Sequence, residues 1–114
     1  ATVSRATGFP ALGAQLTAAF ERLAAVTGAL WAQGDVDLAL ANATLYLEAF
    51  GHIVVAWTWL DQLVAAGERS GAFYDGKRAA AQYFFRFELP AVYPKLDLLA
   101  SLDRTTLDLD PAVL

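Results

Sequence analysis

The chain has 114 residues, of which 57% are hydrophobic, and a formal net charge of −4. This length suits one domain with its own core, and the apolar content argues against disorder. The acidic balance argues against a nucleic-acid-binding surface, and the lack of cysteine excludes disulfides and cysteine-ligated metal.

Alanine and leucine dominate the apolar residues, whereas valine and isoleucine are few. Good helix formers therefore outnumber β-branched residues, and the sequence predicts an all-α fold. We expect an antiparallel up-down bundle of three long helices across residues 11–102, with a lead-in segment at 1–10 and an extended C-terminal tail at 103–114.

The first predicted helix spans about 11–33. Apolar residues recur every three or four positions along it and define one face. This face contains Leu12, Leu16, Phe20, Leu23 and Leu30. Gly34 and Asp35 follow as a helix-ending glycine and an N-cap, which predicts a tight turn.

The second predicted helix, about 36–66, is apolar around most of its circumference and must be covered on more than one side. Trp57 is expected in the core and Trp59 nearer the edge. A membrane span is the competing interpretation. Glu48, His52 and Asp61 would be costly within one bilayer span, so no membrane partner is expected.

The third predicted helix runs from about Gly76 to Leu102, with Phe84 and Phe87 on its core-facing side. Pro90 lies inside it, which predicts a kink or break near Phe87 to Leu89.

The aromatic run at residues 83–85 is too wide for one helix face, because successive helical residues turn by about 100°. At least one ring should therefore leave the core of the bundle and pack against a surface outside it. The candidate interface residues are Trp59, Tyr83 and Phe85. A ring lying over alanines of its own domain is the alternative.

No residue can be assigned to catalysis, cofactor binding or metal binding. Residues 71–78 spell most of a phosphate-binding loop, but Arg78 replaces the Ser or Thr that would bind magnesium, and no strand precedes it. Glu48 and His52 lie one turn apart, yet His52 is the single histidine and a zinc site needs more ligands. A turn explains the pattern at residues 71–78, and a solvated polar strip explains the spacing of Glu48 and His52.

A series of apolar and aromatic residues between Asn42 and Pro90 carries a family resemblance. It comprises Asn42-Ala43-Thr44-Leu45-Tyr46-Leu47, Phe50-Gly51, Trp57, Trp59-Leu60, Phe73-Tyr74-Asp75-Gly76-Lys77, Ala81-Gln82-Tyr83-Phe84 and Leu89-Pro90. This order resembles the small helical domain that follows the catalytic part of some bacterial acyl-CoA dehydrogenases, those related to the dehydrogenase of methylmercaptopropionyl-CoA.

The resemblance implies an accessory, non-catalytic domain of a cytoplasmic enzyme that uses FAD to oxidise an acyl-CoA to its enoyl form. The FAD would belong to the parent enzyme and not to this domain. The implied partners are the catalytic core and further subunits of a homo-oligomer. The alternative is an independent helical bundle that binds a partner helix or a small apolar ligand.

Overall fold

The computed structural model describes residues 2–114, which form helices and turns without a β-strand. The all-helical prediction is therefore confirmed. The α-helices are α1 (Thr2–Arg5), α2 (Pro10–Ala32), α3 (Val36–Leu40), α4 (Ala43–Ala66), α5 (Ala72–Tyr83) and α6 (Val92–Ala100). A π-helical turn at Phe84–Glu88 and a 3-10 turn at Leu89–Ala91 join α5 to α6, and a further 3-10 turn spans Pro111–Val113.

The turn after α2 forms as the sequence predicts. Gly34 adopts a positive φ of 67°, which glycine allows without steric cost. The Asp35 carboxylate then accepts a hydrogen bond of 3.2 Å from the Leu38 amide and caps α3.

The second and third predicted helices are not continuous. A turn at 41–42 divides the second into α3 and α4. The third begins at Ala72, one turn earlier than predicted, because Gly71 with φ +114° ends the preceding loop. Its interruption at residues 84–91 comes just before and at Pro90, which has no amide hydrogen to continue the helix.

The core lies where α2, α4 and α6 pack against one another, with α5 on α4. Thr27 of α2 contacts Tyr46 near the start of α4, whereas the earlier Leu16 lines a groove with Trp57 near its end. This reversed order means that α2 and α4 run antiparallel.

The residues at the closest helix contacts are alanines. Ala19, Ala49, Ala56 and Ala81 all have a relative exposure of 0%. Leu60, Leu63, Leu96 and Leu99 fill the space between them and are also buried.

The two predicted terminal segments contain more structure than expected. The lead-in includes α1, although Ala1 lies outside the described residues. The tail turns back on the bundle instead of extending, because Asn42 Nδ2 donates to the Asp103 carbonyl at 3.0 Å and Thr106 Oγ1 to the Ala41 carbonyl at 3.1 Å. Hydrogen bonding to Asp108 raises the pKa of Arg104 in this tail.

Candidate functional site

An apolar groove lies on the surface between α2 and α4. It encloses about 470 Å³. Its lining consists of Thr2, Val3, Leu16, Thr17, Phe20, Leu23, Phe50, Ile53, Val54 and Trp57. Apart from the two threonines and the indole N–H, these side chains offer no polar group, so the groove suits an apolar partner surface.

Large rings stand at the rims of this groove instead of in the core. Phe20 is 60% exposed and Trp57 is 50% exposed. The predictions that Phe20 faces the core and that Trp57 is buried are therefore wrong. The neighbouring Ala19 and Ala56 take the core positions because their small side chains let the helices approach closely.

A polar cluster closes one end of the groove. The Trp57 indole Nε1 donates to Thr2 Oγ1 at 2.6 Å, and Thr2 Oγ1 donates to Asp61 Oδ1 at 3.3 Å. Arg5 pairs with the same Asp61 oxygen at 2.6 Å. These contacts hold α1 across the end of α4.

The groove narrows towards a second polar contact. Thr27 Oγ1 donates to the Leu23 carbonyl at 2.8 Å, which uses its only hydroxyl hydrogen. The Tyr46 hydroxyl, 2.7 Å away, is therefore the donor to Thr27. The Tyr46 ring stacks on Phe50 with centroids 6.4 Å apart, and this pair extends the apolar wall of α4.

The three predicted interface residues lie in different environments. Trp59 is partly buried against the core, and the Lys77 ammonium lies 5.6 Å from its ring centroid. Tyr83 is exposed and its ring lies 4.8 Å from that of Phe87. Phe85 is only 2% exposed, so the prediction that it lies on the surface is wrong.

The choice of helix face explains this error. Residues three or four apart share a helix face, so the spacing of Ala81, Phe85 and Leu89 predicts a core face as well as that of Phe84 and Phe87 does. Ala81, Phe85 and Leu89 consequently line up towards the core and are all buried. Phe87, predicted to face the core, is 60% exposed, and Phe84 is partly buried against the core.

The Glu48 and His52 strip joins helices and does not form a metal or acid–base site. His52 Nδ1 lies 3.0 Å from the Glu48 carbonyl, and its Nε2 lies 3.6 Å from Glu88. The Glu48 carboxylate instead faces Lys95 at 3.7 Å. Among residues 2–114, no group of three or more His, Asp or Glu could hold a metal ion.

The phosphate-loop pattern lies almost entirely inside a helix. Lys77 belongs to α5, and its ammonium lies between the rings of Trp59 and Phe73, 5.6 and 5.5 Å from their centroids. Arg78 binds the backbone carbonyls of Gly67 and Arg69. A helical backbone cannot form the loop that surrounds a phosphate, so this pattern is structural.

Helix α4 has the length and apolar composition of a membrane-crossing segment, judged by those two properties alone. One such helix is weak evidence, because the core helix of a soluble protein meets the same test. In this fold α4 packs against α2, α5 and α6.

The sequence does contain a signal for the groove. Phe50, Val54 and Trp57 are spaced by four and three residues and form a second apolar stripe on α4, beside the buried stripe through Ile53 and Leu60. The sequence indicates a surplus of apolar surface. It does not predict that this surface lies opposite Phe20 across a groove.

Comparison of the sequence with family descriptions gives one informative match. Residues 1–110 match the family described as acetyl-CoA dehydrogenase C-terminal like. Comparison with curated proteins and with solved structures finds no match. Since the family match covers nearly the whole sequence, the chain belongs to the acetyl-CoA dehydrogenase C-terminal-like family.

Proposed function

We propose that the chain is the accessory, non-catalytic C-terminal domain of a cytoplasmic, FAD-dependent acyl-CoA dehydrogenase. The parent enzyme would oxidise an acyl-CoA to the enoyl-CoA, with FAD bound by its catalytic core. Family membership supports the accessory role. The resemblance to domains of methylmercaptopropionyl-CoA dehydrogenase relatives suggests the subfamily.

The groove between α2 and α4 carries the structural part of this proposal. Phe20, Phe50, Val54 and Trp57 are all exposed around it, and a patch of such rings is typical of a surface covered in an assembly. In our proposal the groove face packs on the catalytic core or on a neighbouring subunit of a homo-oligomer. The domain would then contribute burial and positioning, and no reacting group.

Site-specific photo-cross-linking in the natural protein that carries this domain tests the assignment. A benzophenone amino acid at Phe20 should form a cross-link to a peptide outside residues 1–114. The matched control is Phe73, which is 69% exposed but does not line the groove. Cross-links from Phe73 and none from Phe20 would place the contact elsewhere and contradict the proposal.

Flavin and activity measurements on residues 1–114 alone test the non-catalytic role. We expect purified chain to contain no stoichiometric FAD and to reduce no dye with a panel of acyl-CoA substrates, because the apolar groove has no carboxylate in its lining to act as a base. A bound flavin, or saturable dye reduction, would overturn this part of the proposal.

An independent bundle that binds a partner helix or a small apolar ligand is the second candidate function. The apolar lining of the groove favours it, because ligand pockets are lined predominantly by hydrophobic and aromatic side chains. The natural reading frame distinguishes the two candidates: a flavin-binding catalytic core encoded before Ala1 supports the accessory domain, whereas a separate gene supports the independent bundle.

A further inference from the structure

Helix α1 is attached to the domain by polar contacts to α4 and by the Val3 side chain, which lies against Gly13 of α2. It has four residues, and its one buried residue is Thr2. Val3 is 39% exposed and lines the groove, while Arg5 lies at the surface. Apolar burial therefore contributes little to holding this helix in place.

The polar contacts of Thr2 and Arg5 converge on one turn of α4. Trp57 and Asp61 are four residues apart and lie on the same face of that helix. Trp57 donates to Thr2 at 2.6 Å, Thr2 donates to Asp61 at 3.3 Å, and Arg5 reaches Asp61 at 2.6 Å. Thr2 connects both α4 residues, because its hydroxyl accepts from one and donates to the other.

The same residues form the end wall of the apolar groove. Thr2 and Val3 line it together with Trp57, so displacement of α1 would remove that wall. The chain after α1 is anchored separately, because Ala6 is 4% exposed and belongs to the core. Detachment of α1 therefore need not disturb α2 or α4.

We propose that α1 is a detachable strap that closes one end of the groove and that the Thr2 hydroxyl is its fastening. Detachment frees the Trp57 indole and opens the groove towards Asp61. Short elements with few buried apolar contacts are among the segments that open most readily in native proteins. This inference concerns the chain alone and does not depend on the parent enzyme.

The Thr2→Val variant tests the strap, since it keeps the side-chain shape and removes the hydroxyl. The Ala6 amide, bonded to the Val3 carbonyl at 3.1 Å, reports on α1 by hydrogen exchange. Loss of both hydrogen bonds of the Thr2 hydroxyl should lower its protection by about thirtyfold. The Leu60 amide in the core should keep its protection. The Asp97→Asn variant is the matched control, because it removes the 2.8 Å ion pair with Arg22 and leaves α1 untouched.

Fluorescence gives an independent measurement of the groove. With Trp31→Phe and Trp59→Phe in the background, Trp57 is the single emitter, and Thr2→Val should increase its quenching by acrylamide. The apolar dye 1-anilinonaphthalene-8-sulfonate should bind more strongly to this variant than to Asp97→Asn. Unchanged Ala6 protection and Trp57 quenching would overturn the proposal. Equal loss of protection at Ala6 and Leu60 would also overturn it, because α1 would then be part of the cooperative fold.

Discussion

Four alanines occupy the tightest positions of this core, while phenylalanine and tryptophan rings stand beside them at the surface. Ala56 is fully buried and its neighbour Trp57 is half exposed. Helices that approach closely need small side chains at the contact, so residue size does not identify the core face. For this physical reason, the sequence pattern wrongly predicts that Trp57 and Phe20 lie in the core.

Enlarging one of these alanines should therefore destabilise the domain. We expect Ala56→Leu to lower the free energy of unfolding by about 1–3 kcal/mol, because the added carbons must displace neighbouring helices. Ala65→Leu is the control on the same helix, since Ala65 is exposed, and it should change stability by less than about 0.5 kcal/mol. Urea unfolding of both variants measures the difference. Equal stabilities would show that α4 does not pack through Ala56.

Phe85 and Phe87 provide a second test at the residue scale. Phe85 is buried and Phe87 exposed, although the face chosen from the sequence predicts the opposite. Phe85→Ala should cost about 3–5 kcal/mol because it removes a buried ring. Phe87→Ala should cost much less, limited mainly to its contact with Tyr83. Thermal melting of the two variants checks this order, and a larger loss for Phe87→Ala would show that Phe87 and not Phe85 packs in the core.

At the scale of elements, the sequence predicts helices and turns well where the signal is local. Gly34 and Asp35 mark the end of α2 and the start of α3, and Pro90 marks the interruption before α6. The division between α3 and α4 has no comparable local signal. Its turn is instead supported by the tail, through the bonds from Asn42 to Asp103 and from Thr106 to Ala41. Such contacts between distant residues cannot be read from the pattern of one segment.

Glycine substitutions separate helical positions from turn positions. Gly28 lies within α2, and a Cβ atom there would meet nothing within 4 Å. Gly28→Ala should therefore raise the free energy of unfolding by about 0.5–1 kcal/mol. Gly67 ends α4 with φ +56°, where an alanine is strained. Gly67→Ala should cost about 1–2 kcal/mol. Chemical denaturation measures both, and a gain in stability at Gly67 would contradict the turn geometry.

The whole molecule is elongated, and this shape explains its exposed apolar surface. The Cα atoms extend over 59 × 29 × 16 Å with a radius of gyration of 17.5 Å. A compact domain of this length has a radius near roughly 13 Å. An elongated bundle buries fewer residues for its length, so the apolar surplus in the composition remains outside. Composition predicted this surplus, but the groove itself depends on how α2 lies along α4.

The groove predicts how the isolated chain behaves in solution. Clustered exposed apolar rings tend to associate, and Phe20, Phe50 and Trp57 are all exposed around this groove. We expect the isolated chain to self-associate at high concentration. Phe20 is the residue to change, because it is 60% exposed and lies on the groove rim.

The Phe20→Ser variant should weaken association and raise solubility while costing little stability, since an exposed ring makes few internal contacts. Phe85→Ser is the control with the opposite expectation. It should lower the stability of the domain strongly, because the Phe85 ring is buried. It should not weaken the contact between copies directly, because Phe85 does not lie on the groove rim. Sedimentation velocity over a concentration series gives the association, and thermal melting gives the stability. If Phe20→Ser associates as strongly as the unmodified chain and melts at the same temperature, the copies meet through another surface, and the exposed Tyr83 and Phe87 pair becomes the next to vary.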